Sequence, residues 1–589
     1  MTNDDKPAGD PWERAKNTWS KFVRLQDPAM LSEAEVISKA GMQGEIARFG
    51  MATLKIEVNA AELNAAGLAP FLDIILAHEV GHHVLAPGNL LADAKLVSYI
   101  ANMFPGSGAN YVVNIFTDLL VNDFLFTQRG MPVHEVYKAL KDATIKAGKV
   151  GNADKFWTLY MRIYEILWRL PGGTLADKAI PSDIERDAKL SARVLRTYSR
   201  HWFTCLKNLA YIFKAYVPPD IGSPASMLPS FDKVVAGEGS LDKIWGFASV
   251  SDEEASKPGQ LNYDGALDGM FKEGTGGQDQ GTQPRLPTDY INTLATIGAL
   301  DDIEENKALI QYYTELALPH VVPFPTVNKA TAEPIHEGTE PWTTGEDLDQ
   351  LDILESIKES PVIIPGITTR KVVFGEDKGS EQQKVPVDVD IYLDSSGSIG
   401  HPMYVVSYPV IASFIIALSA LRAGAAVQVT SYSGPNQAMA TRGFSRSKDE
   451  ILQTILHYFG DGTQFPCQIL ERYDERPLDA PPVHILVVSD DDISSMIEPY
   501  TAKNKAGVIE KKSGRDTLAR AIEKGKAKGS LLLRLPYMQE KTKKAIAVLE
   551  SFGFEYHNIS DWKEIIEFAK QFSRKHFTWG VTKKWIKNW

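Results

Sequence analysis

The sequence predicts an α/β protein: a mainly α-helical N-terminal domain with a small sheet, and a C-terminal, doubly wound domain on a mostly parallel sheet. Three observations predict it. Between about 71 and 217 apolar residues recur at helical spacing, preceded by one alternating stretch, Ala52 to Val58. From Val385 onwards short apolar runs alternate with helical ones, as parallel strands and their crossover helices do. Between the two, composition shifts to Gly, Gln, Asp and Pro, most strongly from Gly274 to Gln283, which reads as a linker. The expected boundaries are 20–217, 218–384 with a flexible segment at 251–287, and 385–589.

Bulk properties narrow the functional classes. A chain of 589 residues, 44% hydrophobic, fills more than one core. The 63 basic and 75 acidic residues leave a net charge of −12, which argues against a general nucleic-acid or anionic-membrane binder. Cys205 and Cys467 are the two cysteines, too few for a disulfide framework. The first residues carry no basic stretch followed by an apolar core, so a cytoplasmic protein is expected. The greasiest run, Val405 to Leu421, contains Pro409 and serines and reads as a buried helix rather than a membrane span.

In chain order, residues 1 to about 20 are polar and read as loose, and Trp19 to Phe49 reads as amphipathic helices broken at Pro28 and Gly41. The strand over 52–58 follows, with an edge that could align an extended substrate. Then Phe71 to Val84 writes H-E-x-x-H inside an apolar helical run. On a helix His78 and His82 share a face about 6 Å apart along the axis, so both can hold one ion, with Glu79 beside them. Three ionisable groups in an apolar run need pairing or a metal. Ala86 to Asn89 is a turn that ends the helix.

Two ligands do not complete a site. Gly88 stands six residues past His82, which excludes the subclass of zinc peptidases that places its third ligand there. In the helical run Asn110 to Phe126, Asn114, Asp118 and Asn122 recur every fourth residue on one face. Asp118 is the member that carries charge to a metal, while Asn114 and Asn122 suit orienting the ligands. Asp123 and Asp93 are the alternatives for the third ligand. His83 points off the ligand face. An oxyanion donor could come from Tyr99, Tyr111 or His134. From Val133 to Val217 the pattern is helical, including the runs Lys155 to Leu170 and Asp183 to Tyr216, and its aromatics read as core. Tyr290 to Leu318 and Thr344 to Ile357 are predicted helices, and Lys371 to Phe374 a strand.

The second organised region opens with a strand, Val385 to Leu393, that runs into Asp394-Ser-Ser396-Gly-Ser398, with an apolar helix from about Pro402 to Arg422 behind it. Strand ends of this kind hold ligands in open α/β sheets. One carboxylate and two hydroxyls are hard donors suited to Mg²⁺. Thr463, in Gly460-Asp-Gly-Thr463, and Asp490, at the end of the run Val483 to Ser489, add a hydroxyl and a carboxylate. Further strands are predicted at 531–535 and 554–556, with helices near 517–526, 539–552 and 561–572. The tail, His576 to Trp589, is aromatic and basic.

Residues 386 to about 575 resemble a von Willebrand factor A domain, a Rossmann-like fold with a metal-ion-dependent adhesion site, on Asp394, Ser396, Ser398, Thr463 and Asp490. The resemblance implies Mg²⁺ completed by an acidic residue of a partner protein. Together with the H-E-x-x-H region and Asn114 to Asn122, the order of parts resembles a bacterial family classed as zincin-like metallopeptidases, often accompanied by AAA+ ATPases of the MoxR type. It implies Zn²⁺ on His78, His82 and Asp118, with Glu79 as general base acting on a peptide or protein substrate. No G-x-x-x-x-G-K-[ST] loop is present, so any ATPase is a separate chain. The expected function is therefore a zinc-dependent peptidase docked to a MoxR-type partner. The alternative is a non-enzymatic adaptor that couples an AAA+ ATPase to a client, as in chelatase or metallocofactor-maturation systems, and keeps its N-terminal metal for structure.

Overall fold

The computed structural model describes residues 10–19, 35–37, 46–104, 106–146, 155–217, 234–235, 241–251, 254, 283–300, 305–321, 335–343, 346–347, 350–359, 364–375, 386–490, 493–503, 509–535, 538–559 and 562–577. Most of the expected linker at 251–287 and of the aromatic-basic tail lies outside them. The chain divides into two compact units: 1–319 with 395–414 and 455–462, and 320–394 with 415–454 and 463–589.

The first unit is mainly helical with a four-stranded sheet. Its first helix, Pro11–Trp19, lies where the sequence reads as loose. Trp12, Ala15 and Trp19 form a buried stripe along it, enough to order a short helix by tertiary contact. Part of the predicted helical run is strand instead. Ala47–Gly50 pairs antiparallel with Lys55–Asn59, and that ladder outweighs the helical spacing. Lys55–Asn59 also pairs in parallel with Glu35–Ile37, so it is an interior strand and its backbone is not available to a substrate. A turn over 51–54 shortens it at the start.

Asn59 caps the next helix, accepting from Ala61 and Glu62 N–H, and leads to the motif helix, Leu72–Val84. Pro70, just ahead of that helix, suits a helix start, where its missing N–H is no loss. Gly88, at φ +82, donates its N–H to His82 O and turns the chain away. Asn89 then caps Leu90–Ile100. The ligand-face helix is Gly108–Arg129, closed by Gly130 in the left-handed region. Helices Val133–Lys146, Lys155–Leu167, Ser182–Tyr198 and Trp202–Phe213 follow. The expected helix over 290–318 is two helices, Pro287–Thr296 and Glu305–Ala317, the first ending at Gly298 with φ +73.

The second unit holds a six-stranded sheet in the order 438–440, 427–432, 388–394, 483–489, 528–533, 554–558. All neighbours are parallel except the short first strand, which is antiparallel. The fold class is thus mixed α/β, with a doubly wound sheet. Asp388–Asp394 and Val483–Ser489, the two central strands, are buried at every residue, as sheets covered on both faces require. One face carries Ile485, Val487, Tyr392, Leu518 and Tyr473 in a shared apolar core. On the other, His484 meets Phe572 of Trp562–Phe577 edge-on at 4.7 Å.

Val427–Tyr432, V-Q-V-T-S-Y, escaped the sequence reading because its polar residues disguise a fully buried strand. A separate three-stranded sheet pairs Arg370–Gly375 with Ile335–Pro341 and Leu351–Asp352, so the predicted helix over 344–357 shrinks to Ile353–Glu359. Among the described residues no helix is long and apolar enough to cross a membrane.

Candidate metal sites

Why the motif helix can bring ligands together starts at Gly81. A Cβ there would lie 2.4 Å from Val121 Cγ1 and 3.0 Å from Trp19 Cζ2, so only glycine lets the helix Gly108–Arg129 come this close. Trp19 also donates its indole N–H to Ala77 O at 2.7 Å and stacks on Phe124 at 5.2 Å, tying three helices at one point.

Across that contact the structure gathers His78, His82 and Asp118, whose ligand atoms lie within 4.8 Å of one another. All three are buried, as is Glu79 at 0% exposure. His78 Nδ1 is 2.8 Å from Asn122 Oδ1, and His82 Nδ1 is 3.0 Å from Ala86 O. A carbonyl oxygen only accepts, so His82 Nδ1 carries its proton. Asn122 Nδ2 donates to Tyr137 and Tyr164 hydroxyls at 3.0 and 2.8 Å, which turns Oδ1 towards His78 and makes its Nδ1 the donor too.

Both Nε2 atoms are then lone-pair acceptors. They face each other at 3.0 Å, with the rings at 90°. Asp118 Oδ1 is 3.7 Å from the first and 3.4 Å from the second. Three acceptors converging in a buried space repel unless a cation sits among them. Ligands about 2.0–2.1 Å from a tetrahedral Zn²⁺ stand roughly 3.3 Å apart, so the residues fit the ion.

The remaining candidates divide. Asn122 orients His78. Asn114 sits one turn before Asp118, half-buried. Asp93 is not in the cluster. It opens the helix Leu90–Ile100, and burial pushes its carboxyl up to about 7 although His82 pulls the other way. Asp123 is committed to Arg196, at 2.6 and 3.1 Å. His83 lies against Phe49, its ring centroid 6.1 Å away, and burial lowers its pKa. Tyr99 meets Phe203, Tyr111 meets Phe156 and His134 pairs with Glu135 at 3.0 Å.

Three residues that the sequence reading filed as core belong to this site: Tyr137, Tyr160 and Tyr164. Tyr160 and Tyr164 are four apart on one helix, a spacing that marks a shared face but not what it touches. Burial raises the pKa of all three well above the ordinary tyrosine value.

In the second unit, Asp394 ends the central strand and its Oδ2 accepts from Ser489 Oγ at 2.5 Å and Thr463 Oγ1 at 3.5 Å. Ser489 was missed, although it directly precedes Asp490 in the sequence. Asp490 follows the strand Val483–Ser489 and is half-buried. In the first unit, Ser396 and Ser398 hydroxyls lie 3.2 Å apart. Their loop is zipped to the glycine loop by Gly397 N–H to Asp461 O at 3.0 Å and Gly460 N–H to Ser395 O at 2.9 Å. A Cβ at Gly397 would sit 3.3 Å from Gly460 O, a tight fit that glycine avoids. Asp394 with Thr463, and Ser396 with Ser398, are therefore the pairs that the fold brings together.

No protein-family model matches this chain, and no curated protein does. Among solved structures, a von Willebrand factor type A protein from Catenulispora acidiphila is 16% identical, with a TM-score of 0.23 over 35% of this chain and 44% of that one. The pilus adhesin SpaC from Lactobacillus rhamnosus GG is 12% identical, with a TM-score of 0.23 over 33% of this chain and 30% of that one. The vWF domain of the pilus tip protein Mfa5 from Porphyromonas gingivalis is 11% identical, with a TM-score of 0.22 over 34% and 98%. The chain spans less than half the length of the first two. At such scores the fold rests on its own strand order.

Proposed function

We propose that this chain is a zinc-dependent peptidase with a von Willebrand A-type docking domain. The observation that carries the reading is the convergence of His78 Nε2, His82 Nε2 and Asp118 Oδ1, with both Nδ1 protons held elsewhere and Glu79 on the same helix. His78, His82 and Asp118 would hold the zinc, which when bound polarises a peptide carbonyl and makes water more acidic. Glu79, with a carboxylate in an apolar setting, takes the proton of the attacking water and returns it to the leaving amine. Asn122 keeps His78 in one tautomer. Asp394, Ser396, Ser398, Thr463 and Asp490 would hold Mg²⁺ and leave a position for a partner's carboxylate, with a MoxR-type AAA+ ATPase as the expected partner.

The test is zinc content and peptide cleavage in the Glu79→Gln protein. Zinc is expected to stay and cleavage to fall roughly 100-fold or more. Undiminished cleavage would refute the mechanism.

The second reading is the adaptor with a structural metal. Burial favours it: His78, His82 and Asp118 are each 2% exposed or less, as in a closed site. Under this reading Glu79→Gln changes neither zinc content nor capture of the ATPase, and the parent cleaves no peptide.

A further inference from the structure

We infer that Tyr160 and Tyr164, through Asn122, form a one-way hydrogen-bond chain that joins two of the proposed metal ligands, His78 and Asp118, and fixes which of their atoms face the ion. The inference rests on the metal-site reading for its purpose but not for its geometry.

The direction of each bond follows from proton counting. His78 Nδ1–H donates to Asn122 Oδ1 at 2.8 Å. Asn122 Nδ2 has two protons and gives them to Tyr164 at 2.8 Å and Tyr137 at 3.0 Å. Tyr160 O–H donates to Asp118 Oδ2 at 3.4 Å, since a carboxylate has no proton to return. That uses the single Tyr160 proton, so the 2.9 Å contact between Tyr160 and Tyr164 is donated by Tyr164. Tyr137, 3.3 Å from Tyr160 and 3.4 Å from Tyr164, points its own proton into the same cluster. Every bond therefore runs from His78 to Asp118.

The consequence lies at the far atoms. His78 is held with its proton on Nδ1, so Nε2 is bare. Asp118 is tethered through Oδ2, so Oδ1 is the oxygen that faces the two imidazoles at 3.7 and 3.4 Å. Side chains that otherwise rotate are set before any ion arrives, by hydroxyls drawn from the helix Lys155–Leu167. Tyr160 and Tyr164 are buried among Tyr137, Trp168 and each other, so water does not substitute for a lost hydroxyl. These are positioning residues: Tyr164 acts on His78 through Asn122, and Tyr160 acts through Asp118 Oδ2.

The experiment uses the full chain and its Tyr160→Phe and Tyr164→Phe variants. Zn²⁺ affinity is measured by competition with a chromophoric chelator. In the metal-free protein the His78 tautomer is read by long-range proton–nitrogen correlation after histidine-selective ¹⁵N labelling, with His78→Gln for assignment. Each variant is expected to lose 10- to 100-fold in Zn²⁺ affinity, the usual effect of removing a partner behind a ligand. The parent is expected to show His78 as the Nδ1–H form, and Tyr164→Phe a mixture. Affinities within twofold of the parent together with an unchanged tautomer would overturn the inference. If the parent binds no Zn²⁺, the metal reading fails, while the tautomer measurement still decides the chain. A variant that fails to fold leaves the other to decide, because each hydroxyl is a separate link.

Discussion

Asp390 shows what burial does to a single carboxyl on the central strand. It sits on the central strand at 0% exposure, two residues from Tyr392 and four from Asp394. Tyr473 donates to its Oδ2 at 2.9 Å. Burial nevertheless pushes its carboxyl up from 3.8 to about 6, against the pull of Gln428, Tyr473, Tyr392 and the Arg472 charge. Below about pH 4 both folded and unfolded chains hold the proton. Between about 4 and 6 the unfolded chain releases it first, so stability falls as pH rises, and above about 6 the loss is constant. Asp390→Asn keeps an acceptor for Tyr473 and removes the charge. Denaturant unfolding should find it more stable than the parent by about 2–3 kcal/mol at pH 7.5 and equal to it at pH 4. Equal stability at both pH values would show that Asp390 is ionised at little cost in the folded chain.

Among elements, the decisive contact is that of the motif helix with Gly108–Arg129. Gly81→Ala puts a methyl against Val121, whose branched side chain has little room to turn, so the helices must part. The expected cost is about 1–3 kcal/mol, with a loss of Zn²⁺ affinity because Asp118 moves away from His78 and His82. Gly81→Ala combined with Val121→Ala should recover both in thermal unfolding and metal titration. Recovery of neither would place the cause elsewhere.

This contact also marks how far the sequence was legible. His78, Glu79, His82 and the stripe Asn114, Asp118, Asn122 were readable, because helical spacing states which residues share a face. What lets them meet was not readable, because it depends on a missing Cβ at Gly81 and on Trp19, which ends a helix, Pro11–Trp19, that the sequence did not show. The tyrosines were invisible for a similar reason: a buried Tyr on an amphipathic helix looks like core until its hydroxyl has a partner. The short strands failed where pairing overrode local pattern, as at Ala47–Gly50 and Val427–Tyr432.

At the scale of the whole molecule, the two proposed metal sites draw on different parts of the chain, and the net charge of −12 favours neither one. If they divide labour as proposed, one should be removable without the other. Asp394 is the place to cut. It is 1% exposed, and its Oδ2 accepts from Ser489 and Thr463. Asp394→Ala would leave those hydroxyls without their acceptor at a cost of about 1–3 kcal/mol, mixing folding with function. Asp394→Asn keeps an oxygen for both donors and loses only the charge that a divalent cation requires. The Asn variant should retain its thermal midpoint and its Zn²⁺ content, yet lose Mg²⁺-dependent capture of a MoxR-type ATPase in pull-downs with and without chelator. If capture persists, docking does not run through Asp394. If Zn²⁺ leaves together with capture, the two sites are one coupled system, and the division of labour fails although each set of ligands stands.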